Sequence, residues 1–270
     1  MLRDLHCDVS QLKDLSHRLE DSGYKSVLLT FHSAQADYFI KSAAALTPGH
    51  KLKYMLALRP YHVSPQMAAM MTRAYSEVDK NRLVFNWVAG DFHTRDDEPD
   101  IEFDIFGESE LIDSIQKRTT YLRKFVEMYK LYCPTELVPP MVFSGYSDYA
   151  LETTKKFKGT SLCMIDTYRD NIEKFDGLDG KMVSSGVVIL ESNKEIEDYK
   201  KKLINHNPRL LDYSIIGDYQ TVKQKIIELK NEKITDLLVF TKNGFFDLEW
   251  SNKNDIAVNK LVKEINSEVR

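Results

Sequence analysis

Cysteine is scarce here, and what there is does not cluster. Cys7, Cys133 and Cys163 lie far apart and form no CxxC pair, so no structural zinc site is implied and a reducing compartment is expected. A basic stripe is also missing. With 37 basic and 41 acidic residues the net charge is −4, and nothing favours nucleic acid as a partner. The opening residues, MLRDLHCDVSQLKDL, lack the apolar centre of a secretory signal. No apolar run has the length that crosses a bilayer, so no membrane partner is expected and the cytoplasm is the expected location. No Gly-x-Gly-x-x-Gly follows a strand, which removes the usual nicotinamide-binding turn. No repeat, linker or low-complexity tract divides the chain. Its 270 residues therefore read as one domain, residues 1–270, with ample length for a core.

The most informative stretch runs from Lys53 to Asp91, KYMLALRPYHVSPQMAAMMTRAYSEVDKNRLVFNWVAGD. Two apolar runs, Tyr54 to Leu58 and Leu83 to Val88, have the length and composition of strands buried on both faces. Between them Met67, Met70, Met71, Ala74 and Val78 recur at helical spacing, so one face of the helix is apolar. Ser64 with Pro65 is a fitting helix start. Strand, helix and strand make a right-handed βαβ unit. The carboxyl ends of such strands are where α/β folds place ligands.

The rest of the chain keeps the same rhythm. Val9 to Ser22 reads as a helix, Ser26 to Thr30 as a buried strand, and Asp37 to Leu46 as a short helix. Phe92 to Glu110 is acidic and aperiodic, a loop of functional length. Leu111 to Tyr132 is amphipathic. Strands follow at Met141–Phe143, Ser161–Ile165, Met182–Leu190 and Asp236–Thr241, alternating with helices to the end. Alternation over the whole length predicts an α/β fold, a (β/α)8 TIM barrel. Its first strand, somewhere in Leu2 to Cys7, is weak, shortened or absent.

Candidate ligand residues lie at the strand ends. Ser144-Gly145-Tyr146-Ser147 stands between a strand and a helix, which aims backbone N–H groups and hydroxyls at the positive helix end. Taken alone it fits an ordinary Ser/Asp N-cap better, because such turns are common. Asn86 ends another strand; its carboxamide suits either a ligand edge or a barrel-rim backbone group. Ala89 and Gly90 are small enough for a planar ring to lie against backbone. Arg59 suits an anion or a salt bridge to Asp91. His32, His62 and His93 fall in carboxyl-end loops, and none shares the short spacing of metal ligands, so no metal is expected. His32 and His62, with Arg59, are the candidate catalytic residues, a histidine serving as general base.

LALRPYHVSPQMAAMM followed by NRLVFNWVAGD resembles the bacterial luciferase family, and most closely its alkanesulfonate monooxygenase branch. The resemblance is strongest from Asp37 to Asp91, and returns at Pro140–Ala150 and Gly217–Val239. It implies a (β/α)8 barrel that binds reduced flavin mononucleotide (FMN), supplied by a separate flavin reductase, and oxidises a small-molecule substrate with oxygen. The family's phosphate turn, Gly-Gly-Ser-Ser, corresponds to Ser144–Ser147, and the flavin ring to the neighbourhood of Asn86, Ala89 and Gly90. Helices beside the early strands imply a homodimer that uses some of the Met67, Met70, Met71 and Ala74 face and the helix from Asp37, and a non-proline cis peptide, if present, is expected between Leu56 and Arg59. Departures are equally informative. Gln35 stands where desulfonating members carry cysteine, Ser184 and Gly186 where they carry arginine and histidine, and Thr119 where a tyrosine follows the arginine matched by Arg118. Other branches use a deazaflavin for hydride transfer. Lost catalytic positions also allow a non-catalytic flavin-binding accessory protein.

Overall fold

Reciprocal capping starts the first helix. The Gln11 N–H donates to Asp8 Oδ1 at 2.8 Å, and the Asp8 N–H to Gln11 Oε1 at 3.0 Å. The computed structural model describes residues 8–30, 38–60, 63–89, 115–240 and 248–268. In order these form α1 (Val9–Asp21), β1 (Ser26–Leu29), α2 (Tyr38–Ala45), β2 (Lys53–Leu58), α3 (Pro65–Asp79) and β3 (Leu83–Val88). Next come α4 (Ile115–Tyr132), β4 (Met141–Ser144), α5 (Asp148–Phe157), β5 (Thr160–Met164), α6 (Ile165–Asp170) and β6 (Gly180–Ile189). The chain continues through α7 (Asn193–His206), α8 (Arg209–Asp212), β7 (Ser214–Gly217), α9 (Tyr219–Asn231), β8 (Asp236–Phe240) and α10 (Leu248–Glu268). Among the described residues every ladder is parallel. No described helix is long and apolar enough to cross a membrane.

Alternation along the strands makes two apolar layers. Tyr54, Leu56, Leu58, Phe85, Trp87 and Phe143 face outward into the helix layer. Leu28, Met55, Val84, Val142, Leu162, Met182 and Leu238 face inward and form a single cluster. One comes from each of β1 to β6 and one from β8. A single interior cluster fed by seven strands requires the sheet to curl on itself, so the fold is an α/β barrel of the TIM type. Each such buried side chain contributes roughly 1.5–3 kcal/mol of transfer free energy.

β7 is not one of these staves. Gly186 and Leu190 donate N–H groups to Tyr213 and Gly217 carbonyls on the β7 side, whereas Lys181 accepts from the Thr235 N–H on the β8 side. Successive residues of a strand address opposite edges, so Val187 and Ile189 point past the end of β8. Asn254 of α10 takes that edge instead. Its Nδ2 donates to the Val187 carbonyl at 2.9 Å, and its Oδ1 accepts the Ile189 N–H at 2.8 Å. β7 thus extends the barrel rim along β6. Among the described residues no ladder joins β8 to β1. The helix ring closes outside that gap, where Asn266 Nδ2 donates to the Gly23 carbonyl at 2.8 Å. The expected first strand, Leu2 to Cys7, lies outside the described residues.

One expectation is refined and one corrected. The apolar stripe of α3 is not its buried face: Met67, Met70 and Val78 are 48%, 59% and 62% exposed, and the buried face is Ala68, Ala69, Thr72 and Tyr75. Small alanines let the helix approach closely. Thr72 satisfies its hydroxyl on the Ala68 carbonyl at 2.8 Å and on Tyr129 Oη at 3.1 Å, so its burial carries no unmet donor. Nor is the peptide between Leu56 and Arg59 cis, since all described peptides are trans. The parallel register with β3 runs unbroken through Leu58↔Trp87.

Candidate functional site

β3 and β4 end side by side, with Val88 in register with Ser144. Asn86 shares its inward face with Val84 and is 3% exposed. Ser144 Oγ donates to Asn86 Oδ1 at 2.8 Å, so the carboxamide oxygen is satisfied within the protein. The chain then turns at Gly145. Its N–H donates to the Leu162 carbonyl of β5 at 2.9 Å, and its φ of +134° lies where side chains are rarely tolerated. A Cβ there would meet the Ala150 methyl at 3.1 Å. Two residues on, Ser147 caps α5, its Oγ accepting the Ala150 N–H at 3.3 Å.

These residues line a cavity of about 370 Å³. One wall is Ser144, Gly145, Tyr146 and Ser147, continued by Ala150 and Thr153 of α5. The opposite wall is Arg118, Thr119 and Leu122 of α4, with Ala89 and Phe143 completing it. Among the described residues Arg118 is the single charged group of the lining, and it is half-buried. A cation, hydroxyls and a helix amino terminus lining one space are groups that favour an anion. The one acidic group of that first helical turn, Asp148, is turned to Lys174 Nζ at 3.1 Å, away from the space. Tyr146 stands at the lip, 51% exposed.

The structure therefore brings Ala89, Ser144, Gly145, Tyr146 and Ser147 to one cavity, with Asn86 one hydrogen bond beneath. Arg59, half-buried after β2, is not in its lining. His32, His62 and Gly90 lie outside the described residues, as do Gln35 and His93. Ser184 donates to Met164 Sδ at 2.9 Å, a small neutral contact. No group of three metal-ligating side chains forms among the described residues.

No family model matches the chain. Solved structures do. EDTA monooxygenase from Chelativorans sp. BNC1 superposes with a TM-score of 0.70 at 10% identity, over 94% of this chain and 85% of that one. The oxygenating constituent of 3,6-diketocamphane monooxygenase from the CAM plasmid of Pseudomonas putida, solved in complex with FMN, gives 0.65 at 14% identity, over 95% and 92%. Coenzyme F420 dependent tetrahydromethanopterin reductase from Methanopyrus kandleri gives 0.63 at 14% identity, over 95% and 94%. This chain shares their fold. At such identities the likeness is one of fold, and the site is argued from its own residues.

Little of the α4 wall is marked in the sequence: the resemblance matches Arg118 and sets Thr119 apart as a departure without giving either a ligand role, and nothing local marks Leu122 or Thr153. The available signal was an arginine on the buried stripe of a helix, spaced i, i+4 from Leu122. A cation on that stripe needs a reason to face inward.

Proposed function

We propose that this chain is an oxidoreductase of the bacterial luciferase-like kind, a monooxygenase that uses reduced FMN and oxygen on a small organic substrate. The carrying observation is the cavity that sets Arg118 against the amino end of α5 at the carboxyl mouth of the barrel. A phosphomonoester matches that electrostatic pattern, and Gly145 leaves room for close approach. Arg118, Tyr146 and Ser147 hold the phosphate, while Asn86 and Ala89 face the rest of the cofactor. When bound, reduced FMN supplies the electrons that activate oxygen. The protein's contribution is to bind, orient and keep the mouth dry. Among the described residues its floor is the apolar ring of Met55, Val84, Val142 and Leu162.

Reduced FMN comes from a separate flavin reductase, since no nicotinamide turn exists in this sequence. Desulfonation is not part of the proposal, because Gln35, Ser184 and Gly186 replace the groups it uses. His32, His62 and Arg59 remain the proposed catalytic groups. The chain acts in the cytoplasm as a homodimer. The exposed Met67, Met70 and Val78 of α3, with Ile40 of α2 and Leu131 of α4, are the apolar surface offered to the second copy.

The likeness to a coenzyme F420 dependent reductase supports a second reading, hydride transfer with a deazaflavin. A third, a flavin-binding accessory protein without turnover, draws on the neutral Ser184 and Gly186 positions. Anaerobic titration with reduced FMN, riboflavin and a deazaflavin, for wild type and Arg118→Met, tests the proposal. Wild type should bind reduced FMN, and Arg118→Met should weaken it at least tenfold while leaving riboflavin unchanged. Equal FMN affinity in both proteins would move the phosphate elsewhere. Oxygen uptake with a reductase over a substrate panel then separates monooxygenase from accessory protein.

A further inference from the structure

Arg123 stands five residues beyond Arg118 on α4, and it does not line the cavity. Its guanidinium bridges to α5. Nε donates to Thr153 Oγ1 at 3.2 Å and Nη2 to the same oxygen at 3.1 Å, while Nη2 also reaches the Tyr149 carbonyl at 3.4 Å. An ion pair of the same length joins Nη2 to Glu152 Oε2 at 3.4 Å. Thr153 is fully buried and lines the cavity, and its hydroxyl donates to the Tyr149 carbonyl at 2.7 Å. One cation thus binds an acceptor in the cavity wall and a carbonyl in the first turn of α5. Two further side-chain ties between the helices, Lys156 to Glu127 and Lys130 over the Phe157 ring, lie farther along both of them.

We infer that Arg123 is a positioning residue for the anion cavity. It clamps the first turn of α5 against α4, and so sets the distance between Arg118 and the amides after Ser144. The physical reason is geometric. Arg118, Thr119 and Leu122 ride on α4, the capped amides ride on α5, and a ligand held by both walls needs their separation fixed. A planar guanidinium suits the task, because its fork meets two acceptors at once without the rotational freedom of a lysine. Both helices also meet the sheet, so the clamp refines a fixed packing instead of creating it.

The inference rests on the flavin reading only for its choice of ligand. Two measurements on the intact chain, wild type, Arg123→Met and Arg123→Lys, test it. The first is amide hydrogen exchange over residues 145–151. Arg123→Met should exchange there about tenfold faster, with α9 peptides unchanged as the internal reference; equal exchange in the two proteins overturns the inference. The second is anaerobic affinity for reduced FMN against riboflavin. Arg123→Met should weaken FMN about tenfold, leave riboflavin alone, and Arg123→Lys should fall between. FMN affinity equal to wild type in Arg123→Met overturns the inference and leaves the flavin reading standing. Full activity of the clamp in Arg123→Lys, by both measurements, would mean that charge alone acts, and also overturns it. If wild type binds no flavin, the flavin reading fails, and hydrogen exchange by itself decides the role of Arg123.

Discussion

Ser144 and Asn86 end adjacent strands and are tied by one hydrogen bond, Ser144 Oγ to Asn86 Oδ1 at 2.8 Å. Asn86 is 3% exposed, so no water replaces a lost donor easily. Ser144→Ala should therefore cost about 1–2 kcal/mol, the scale of a buried acceptor left unmet. Replacing both partners, Ser144→Ala with Asn86→Leu, should cost less than the two single changes together. Urea unfolding of the four proteins measures this; strict additivity would show that the pair is not coupled.

Gly145 is constrained by conformation as well as by space. At φ +134°, and with an added Cβ 3.1 Å from Ala150, even Gly145→Ala should destabilise by roughly 1–3 kcal/mol. The turn is therefore part of the fold and not only of the site. An unfolding midpoint equal to that of wild type would mean that the turn relaxes freely. Ser147→Ala is milder: loss of the cap on α5 should cost about 1 kcal/mol and weaken reduced FMN modestly.

Glu20 ties α1 to the segment that enters β2. Burial pushes its carboxyl up, but the Lys51 N–H at 2.8 Å and His50 Nδ1 at 2.9 Å outweigh that and hold it below the ordinary carboxylate value of 4.5. A carboxylate with a lower folded than unfolded pKa stabilises above the unfolded value, and loses that contribution as pH falls through the folded one. Wild type should lose stability below about pH 4.5 more steeply than Glu20→Gln, while Glu20→Gln should be the less stable at pH 7. Thermal melts from pH 7 to pH 3.5 check the slope; parallel curves would exclude Glu20 as the source.

Cys163 sits in the outer layer behind β5, and burial, with the nearby Asp166 charge, pushes its thiol up to about 12. A thiol that stays protonated and covered is a poor nucleophile. Native protein at pH 8 should leave Cys163 unmodified by iodoacetamide for hours, whereas protein in urea should label at once. Mass analysis of the Cys163 peptide reads the result, and rapid native labelling would reveal an opening of β5.

The exposed side chains of α3 test the assembly. Met70, 59% exposed on α3, should tolerate charge if it faces water and refuse it if it faces a second copy. Met70→Glu should shift a micromolar dimer to monomer in sedimentation without lowering the melting temperature. A wild type that sediments only as monomer would remove the homodimer from the proposal.

Much of this molecule is written locally. The apolar runs at Tyr54–Leu58 and Leu83–Val88, and the caps at Ser64, Ser147 and Asp218, are set by short-range periodicity and hydrogen bonding, and the strands and helices follow them. The turn after β4 was legible too, because a glycine between hydroxyl residues at a strand-to-helix junction has few other uses. Tertiary structure decided the rest. Which face of α3 is buried depends on how closely a helix can approach a sheet, and hydrophobicity alone selects the large methionines where packing selects Ala68 and Ala69. That β7 is a rim extension and no stave depends on which edge of β6 is still open, a property of three ladders together. The α4 wall of the cavity, with Arg118 across from Ser147, joins residues whose proximity exists only after the barrel has closed. Local sequence specifies the groups; the curl of the sheet specifies which of them meet.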